Sequence, residues 1–248
     1  VSEKKLVESG SLSLNFVRSL SDYVRLVTEI NGETIKGAIY RGQANYEFGL
    51  SSTLQRALVR AKNPTTIERA KNGFKVFRVE RHLYHETRTL SQWDELTLAQ
   101  HYGLPTRLLD WTLDPLVGLY FALESIDQDN ADFDACVYML PAVSGLPWVT
   151  SSEMSEDVFG ALDGVAKSFD SVVLMPDYLN ARIRSQAGIF TITSDLYSEF
   201  SKGRTHHLVI PADSIGLLKL QLLQFGLTRK RIFMDAESLC AELKYSHY

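Results

Sequence analysis

Residues 98–123, LAQHYGLPTRLLDWTLDPLVGLYFAL, constrain the fold more than any other part of the chain. Gly103 in the stop position and Pro105 two residues on end a helix that the pattern places at Asp94 to Tyr102. Asp114-Pro115 then opens the next helix, because Asp caps the free N–H groups and Pro is tolerated at the first helical position. That helix, PLVGLYFALES, is too apolar to lie anywhere but inside, so it anchors the core. The turn between the helices carries Thr106, Arg107, Asp110 and Trp111, with His101 at its start, and leaves them little slack.

Around this anchor the pattern gives helices at 14–30, with Ser13 as cap and Asn31-Gly32 as stop, and at 53–61, 65–90, 214–225 and 235–244. The β-prone runs are GAIYRGQ, ACVYML (135–140), GIFTIT (188–193), HLVI (207–210) and RIF (231–233). Residues 125–132 and 141–170 read as surface loops or short helices. Strands scattered among helices without a regular βαβ cadence indicate an α+β fold, a single compact domain with helices packed around a small mixed sheet. At 248 residues, 45% hydrophobic and 23% charged, the chain can bury one large core. Residues 1–13 read as a polar N-terminal tail and 14–248 as the domain.

No apolar run approaches the roughly 18 residues of a membrane span, so no membrane association is expected. VSEKKLVESG lacks the apolar stretch of a secretory peptide, and Cys136 and Cys240 stand far apart; a cytoplasmic location is the expectation. Charge is uneven along the chain. Residues 55–88 hold nine Lys/Arg against three Glu, whereas 123–177 hold eleven Asp/Glu and only Lys167. The basic helices offer a nucleic acid target a surface, and the acidic segment offers one to a neutralising partner protein; solvated faces are the plain alternative.

GxGxxG, P-loop, HExxH and GxSxG patterns are all absent, which closes those routes to function. His82/His85 and His206-His207 lack supporting ligand types, so no metal is expected. Three clusters remain. Tyr40-Arg41-Gly42-Gln43 ends a strand, where Gly42 allows the backbone to turn or approach a ligand, and Arg41 offers a rigid fork to carboxylate or phosphate. The second cluster is His101, Thr106, Arg107, Asp110 and Trp111. The third is Arg182, Gln186, Gly188 and Phe190 in ARIRSQAGIF.

Tyr40–Gln43 followed by LSSTLQR, the 98–123 stretch, RIRSQAGIF, and LQFGLTRKRIFMDAESLCAEL together resemble the FRG domain, named for its Phe/Tyr-Arg-Gly signature, over about residues 14–245. Tyr40 stands where the signature has Phe, and LSSTLQR lacks the proline usual before its serine. The YRG strand end also looks like the first-strand motif of arginine-type ADP-ribosyltransferases, and FRG domains are associated with toxin and antiphage settings. The resemblance implies a split-sheet, NAD-dependent transferase acting on a macromolecule such as RNA, silenced by an antitoxin protein. It implies that Tyr40, Arg41, Gly42, Gln43, Thr106 and Arg107 hold NAD, with Arg41 on the diphosphate or ribose, and that His101, Asp110 and Gln186 serve catalysis. Gln186 then binds the nicotinamide amide or occupies the position where a transferase carries its catalytic glutamate; Glu199 and Glu237 are spare acids. A non-catalytic binding module, in which His101, Arg107 and Asp110 form a closed polar network, is the rival reading. A metal-independent hydrolase or nuclease with His101 as general base is a third.

Overall fold

A computed structural model describes residues 14–32, 37–61, 63, 65–84, 89–126, 132–142, 144–162, 164–177 and 181–247. The expected tail at 1–13 lies outside the described residues, as do Lys62, His85 and Arg88 of the basic segment. The described strands are β1 (Leu14–Phe16), β2 (Ile39–Gln43), β3 (Leu109–Thr112), β4 (Ala135–Leu140), β5 (Trp148–Thr150), β6 (Ser171–Met175), β7 (Gly188–Thr193) and β8 (His206–Ile210). They form one sheet in the order β1-β8-β4-β2-β3-β7-β6-β5. The outermost pairs, β1 with β8 and β5 with β6, are parallel and the rest antiparallel. The chain is a mixed α/β domain of the α+β kind.

Alternation along the strands sorts the core onto two faces. Ala135, Val137 and Met139 of β4 with Leu208 and Ile210 of β8 meet helices α1 (Leu20–Asn31), α5 (Pro115–Leu123) and α7 (Ile215–Gln224). Val172 and Leu174 with Phe190 and Ile192, on the other half of the sheet, meet α3 (Thr65–Glu80) and α4 (Gln92–His101) through Phe74, Trp93 and Leu96. The intervening residues Cys136, Tyr138, Trp111, Ile189 and Val173 pack beneath Leu50, Leu146 and Phe200. α5 begins as the sequence predicts: the Asp114 carboxylate accepts from the Leu116 N–H at 2.8 Å, with Pro115 next.

Several boundaries differ from the sequence reading. The first helix starts at Leu20, not Leu14, because Ser19 is the residue whose hydroxyl accepts from the Asp22 N–H, at 3.2 Å; Leu14–Phe16 instead extend the sheet along β8. The reading of 65–90 as one helix overruns. α3 ends at Glu80 and the chain tightens into a 3₁₀ turn, Arg81–Leu83, that carries Arg81 inside. Arg231–Phe233 is not a strand but lies in α8 (Arg229–Phe233), where the Thr228 side chain accepts from the Arg231 N–H at 3.4 Å. β5 lies in a segment read as loop, and β3, β6 and the short helix α6 (Ala181–Ser185) are elements the sequence reading lacks. α2 (Thr53–Ala61) and α9 (Ala236–His247) complete the described helices.

β8 carries a pH-sensitive pair. The His207 ring stands edge-on to Tyr138 at 5.1 Å and Tyr46 at 5.8 Å, and its Nε2 lies 3.2 Å from the Lys202 carbonyl. Burial lowers the pKa of both His206 and His207, with the Lys202 carbonyl pulling His207 partly back. The unfolded chain therefore takes up protons on these rings before the folded one does. Their contribution to stability is present above the unfolded pKa of about 6.5 and is lost as pH falls from there through the lower folded pKa. Thermal unfolding between about pH 7.5 and 5.5 is expected to show a falling midpoint, with a shallower fall in His207→Gln.

Candidate functional site

β2 has five registered partners on β4, and β3 four on β7, but β2 and β3 meet at a single pair, Tyr40↔Thr112. Beyond that pair the strands part, and the Arg41 guanidinium takes over the link by donating to the Asp110 carbonyl at 2.6 Å. On the helix-covered face, α5 lies directly on β2: a Cβ at Gly42 would sit 2.2 Å from the Ala122 nitrogen and from the Gly118 oxygen. A Cβ at Gly118 would fall 2.7 Å from that of Tyr40. The helix layer leaves a cavity of about 400 Å³ bordered by α4, α5 and the turn after α6, with β2, β3 and β7 as its floor.

Tyr40, Arg41, Gly42, His101, Asp110 and Gln186 all line this cavity. Gly42 serves first for close packing of α5, a role different from the turn or ligand approach read from sequence. Trp111 and Phe190, read as core aromatics, are buried yet present atoms to the cavity. Gln43, Thr106 and Arg107 do not line it. The Gln43 amide donates to the Phe48 and Gly49 carbonyls, tying down the loop after β2. Arg107, 2% exposed, donates to the carbonyls of Val158, Gly160, Thr193 and Ser194, so its fork is used as a brace between loops and not on Asp110. Burial pulls its pKa down to about 10 against the attraction of Asp157 and Asp195. Glu199 accepts from Ser51 and, like Glu237, is outside the cavity lining.

Thr106 acts at one remove. Its oxygen accepts from the Leu108 N–H at 3.1 Å, its hydroxyl donates to the Gln100 side-chain Oε1, and the Gln100 side-chain amide donates to Asp110 Oδ1. This relay fixes an Asp110 carboxylate that is 64% exposed, while the Arg41 side chain facing it across 3.9 Å is only 16% exposed. Burial lowers the Arg41 pKa, the Asp110 charge opposes that shift, and nearby Arg56 adds to it. The His101 ring stacks edge-on against Tyr102, with centroids 4.8 Å apart.

Three polar atoms of lining residues are buried without a hydrogen-bond partner: Arg41 Nε, Gln186 Nε2 and Thr97 Oγ1. Buried donors are rarely left unmade unless a ligand or water completes them. Gln186 is aimed by its own backbone, since its carbonyl accepts from the Thr112 hydroxyl at 2.6 Å and the next residue, Ala187, sits at φ 46°. Thr97 and Gln100, which line the cavity, carry no sequence signal of their own beyond sharing one face of α4 with His101 at i, i+3 and i+4. Among the described residues no group of three or more His, Cys, Asp or Glu could hold a metal ion.

The basic segment is less available than its composition suggests. Arg81 and Arg78 both bind the buried Glu95 carboxylate, Arg56 donates to the Ser51 carbonyl at 2.6 Å, and Lys71 pairs with Glu68 at 3.2 Å. Arg60, Arg69 and Lys75 remain as exposed cations of the segment. In the acidic stretch, Glu124 and Asp170 pair with Arg229 and Arg204. No described helix is long and apolar enough to cross a membrane.

Residues 36–131 match the family model of the FRG domain. The matched stretch contains β2, α4, β3 and α5, hence Arg41, His101 and Asp110, but stops short of Gln186. No curated protein and no solved structure matches the chain.

Proposed function

We propose that this chain is an FRG domain acting as an NAD-dependent ADP-ribosyltransferase-like enzyme that modifies a macromolecule in a toxin or antiphage setting. The observation that carries the reading is the half-buried Arg41 guanidinium, with its buried Nε unspent, beside the Asp110 carboxylate in a cavity where the sheet opens. A guanidinium in that state suits the diphosphate of NAD as a rigid, permanently charged fork. Cleavage of the nicotinamide–ribose bond develops positive charge on the ribose, which a fixed carboxylate stabilises; Asp110, held by Gln100, has that role here. His101 orients the ribose and the Gln186 amide meets the nicotinamide carboxamide. The cavity volume falls in the range of small-molecule sites, about 300–1,000 Å³.

Gln186 favours a second reading. An amide in place of a catalytic carboxylate suits a module that binds NAD without turning it over. Incubation with labelled NAD and separate pools of RNA, DNA and protein decides between them. Transfer to one pool, lost in a folded Arg41→Ala variant, is the expected result; saturable binding without transfer marks the binding module. A folded Arg41→Ala variant that still transfers label removes the proposal.

A further inference from the structure

We infer that Thr97 is a specificity-determining residue: its hydroxyl and the Gln186 amide form a two-point site for a planar, neutral carboxamide at the enclosed side of the cavity. The inference rests on the NAD reading for its probes. Thr97 is 2% exposed, and a buried threonine hydroxyl in a helix ordinarily turns back to a carbonyl or finds a side-chain partner. Here its Oγ1 has none, and neither has Gln186 Nε2 on the same cavity. Gln186 Nε2 can only donate, whereas Thr97 Oγ1 both donates and accepts. A carboxamide answers both, its oxygen accepting from Gln186 and its N–H donating to Thr97. The neighbouring walls are apolar or aromatic, Trp111, Phe190 and Ile183, which suits a flat ring. A carboxylate in the same place would bring charge into low dielectric on the cavity that already holds Asp110. Asp110 is exposed whereas Thr97 is buried, so the neutral end of a ligand lies deeper than the carboxylate.

The test is Thr97→Val, which keeps shape and removes only the hydroxyl. Replacing an unsatisfied buried hydroxyl by a methyl is neutral or stabilising, so the thermal midpoint of the ligand-free protein is expected to hold or to rise by about 2–4 °C. NAD and free nicotinamide are expected to bind about tenfold more weakly than to wild type, while ADP-ribose, which lacks the carboxamide, stays within about twofold. A structural role for Thr97 would lower the midpoint and leave the three ligands in their original order. Unchanged NAD affinity in a folded Thr97→Val variant, or equal weakening of NAD and ADP-ribose, overturns the inference while leaving the NAD reading intact. Wild-type protein that binds none of the three probes overturns both.

Discussion

Glu95→Gln is expected to lower unfolding free energy by about 3–5 kcal/mol, the cost of leaving a buried cation without its counter-charge. Arg81 Nε lies 3.0 Å from Glu95 Oε1 and its terminal nitrogen 2.9 Å from the same oxygen, with side chains only 3% and 6% exposed. Arg78, 40% exposed, binds the other oxygen and loses less because water can take over. The amide of Gln turns a donor toward a guanidinium that has only donors, so isosteric size does not rescue the site. Such a loss is about a fifth or more of the stability of an ordinary domain, about 5–15 kcal/mol. Urea denaturation reads it as a lower midpoint, and Glu68→Gln, at the exposed pair with Lys71, serves as control with a change below about 0.5 kcal/mol. Because Glu95 joins α3 and the following turn to α4, the wall that presents Gln100 and His101 loosens with it. Equal effects of Glu95→Gln and Glu68→Gln would show that burial of the pair has no energetic consequence.

The second large effect is at Gly42. Gly42→Ala is expected to cost about 3 kcal/mol or more, the upper end of overpacking penalties, since the atoms a methyl would meet at 2.2 Å belong to the α5 backbone and cannot rotate away. Thermal unfolding would fall by roughly 2–4 °C for each kcal/mol in a chain of this size. Gly216 of α7 is the contrast: nothing lies within 4 Å of its Cβ position, and Gly216→Ala is expected to stabilise by about 0.5–1 kcal/mol. A Gly42→Ala variant as stable as wild type would mean that α5 does not rest on β2 at this point. The glycine of the YRG signature is thus explained by helix–strand contact, and the arginine before it is freed for the gap between strands.

Much of this was readable from residue types and periodicity. The Asp114-Pro115 start, the apolar run behind it and the alternating or continuous runs of β4, β7 and β8 carry their own signals. The missed strands had reasons. Leu14–Phe16 share helical spacing with Leu20 and Tyr23, and only the choice between Ser13 and Ser19 as cap separates the two readings. β3 is four residues long and includes an exposed Asp110, while SVVLM at 171–175 is a plain buried run that its acidic surroundings disguised. Arg231–Phe233 has strand-forming side chains, but the Thr228 cap and the packing of Ile232 decide for helix.

At the site, residue chemistry pointed to Arg41, His101, Asp110 and Gln186, which converge on one cavity. It did not separate Asp110 from Arg107, three residues apart on the same turn. Which one faces the cavity depends on where β3 begins and on carbonyls from residues 158–160 and 193–194, none of which local sequence encodes. Thr97 is likewise set apart only by the fold, since its distinguishing property is a partner it lacks.

Equilibrium titration with NAD of wild type and of Arg41→Ala, both shown folded by thermal unfolding, tests the central claim most directly. Saturable binding by wild type, weakened about thirtyfold or more in Arg41→Ala, is the predicted result, as expected for losing charge-assisted hydrogen bonds to a phosphate. Equal affinity in the two proteins, or no saturation by wild type at millimolar NAD, would contradict it.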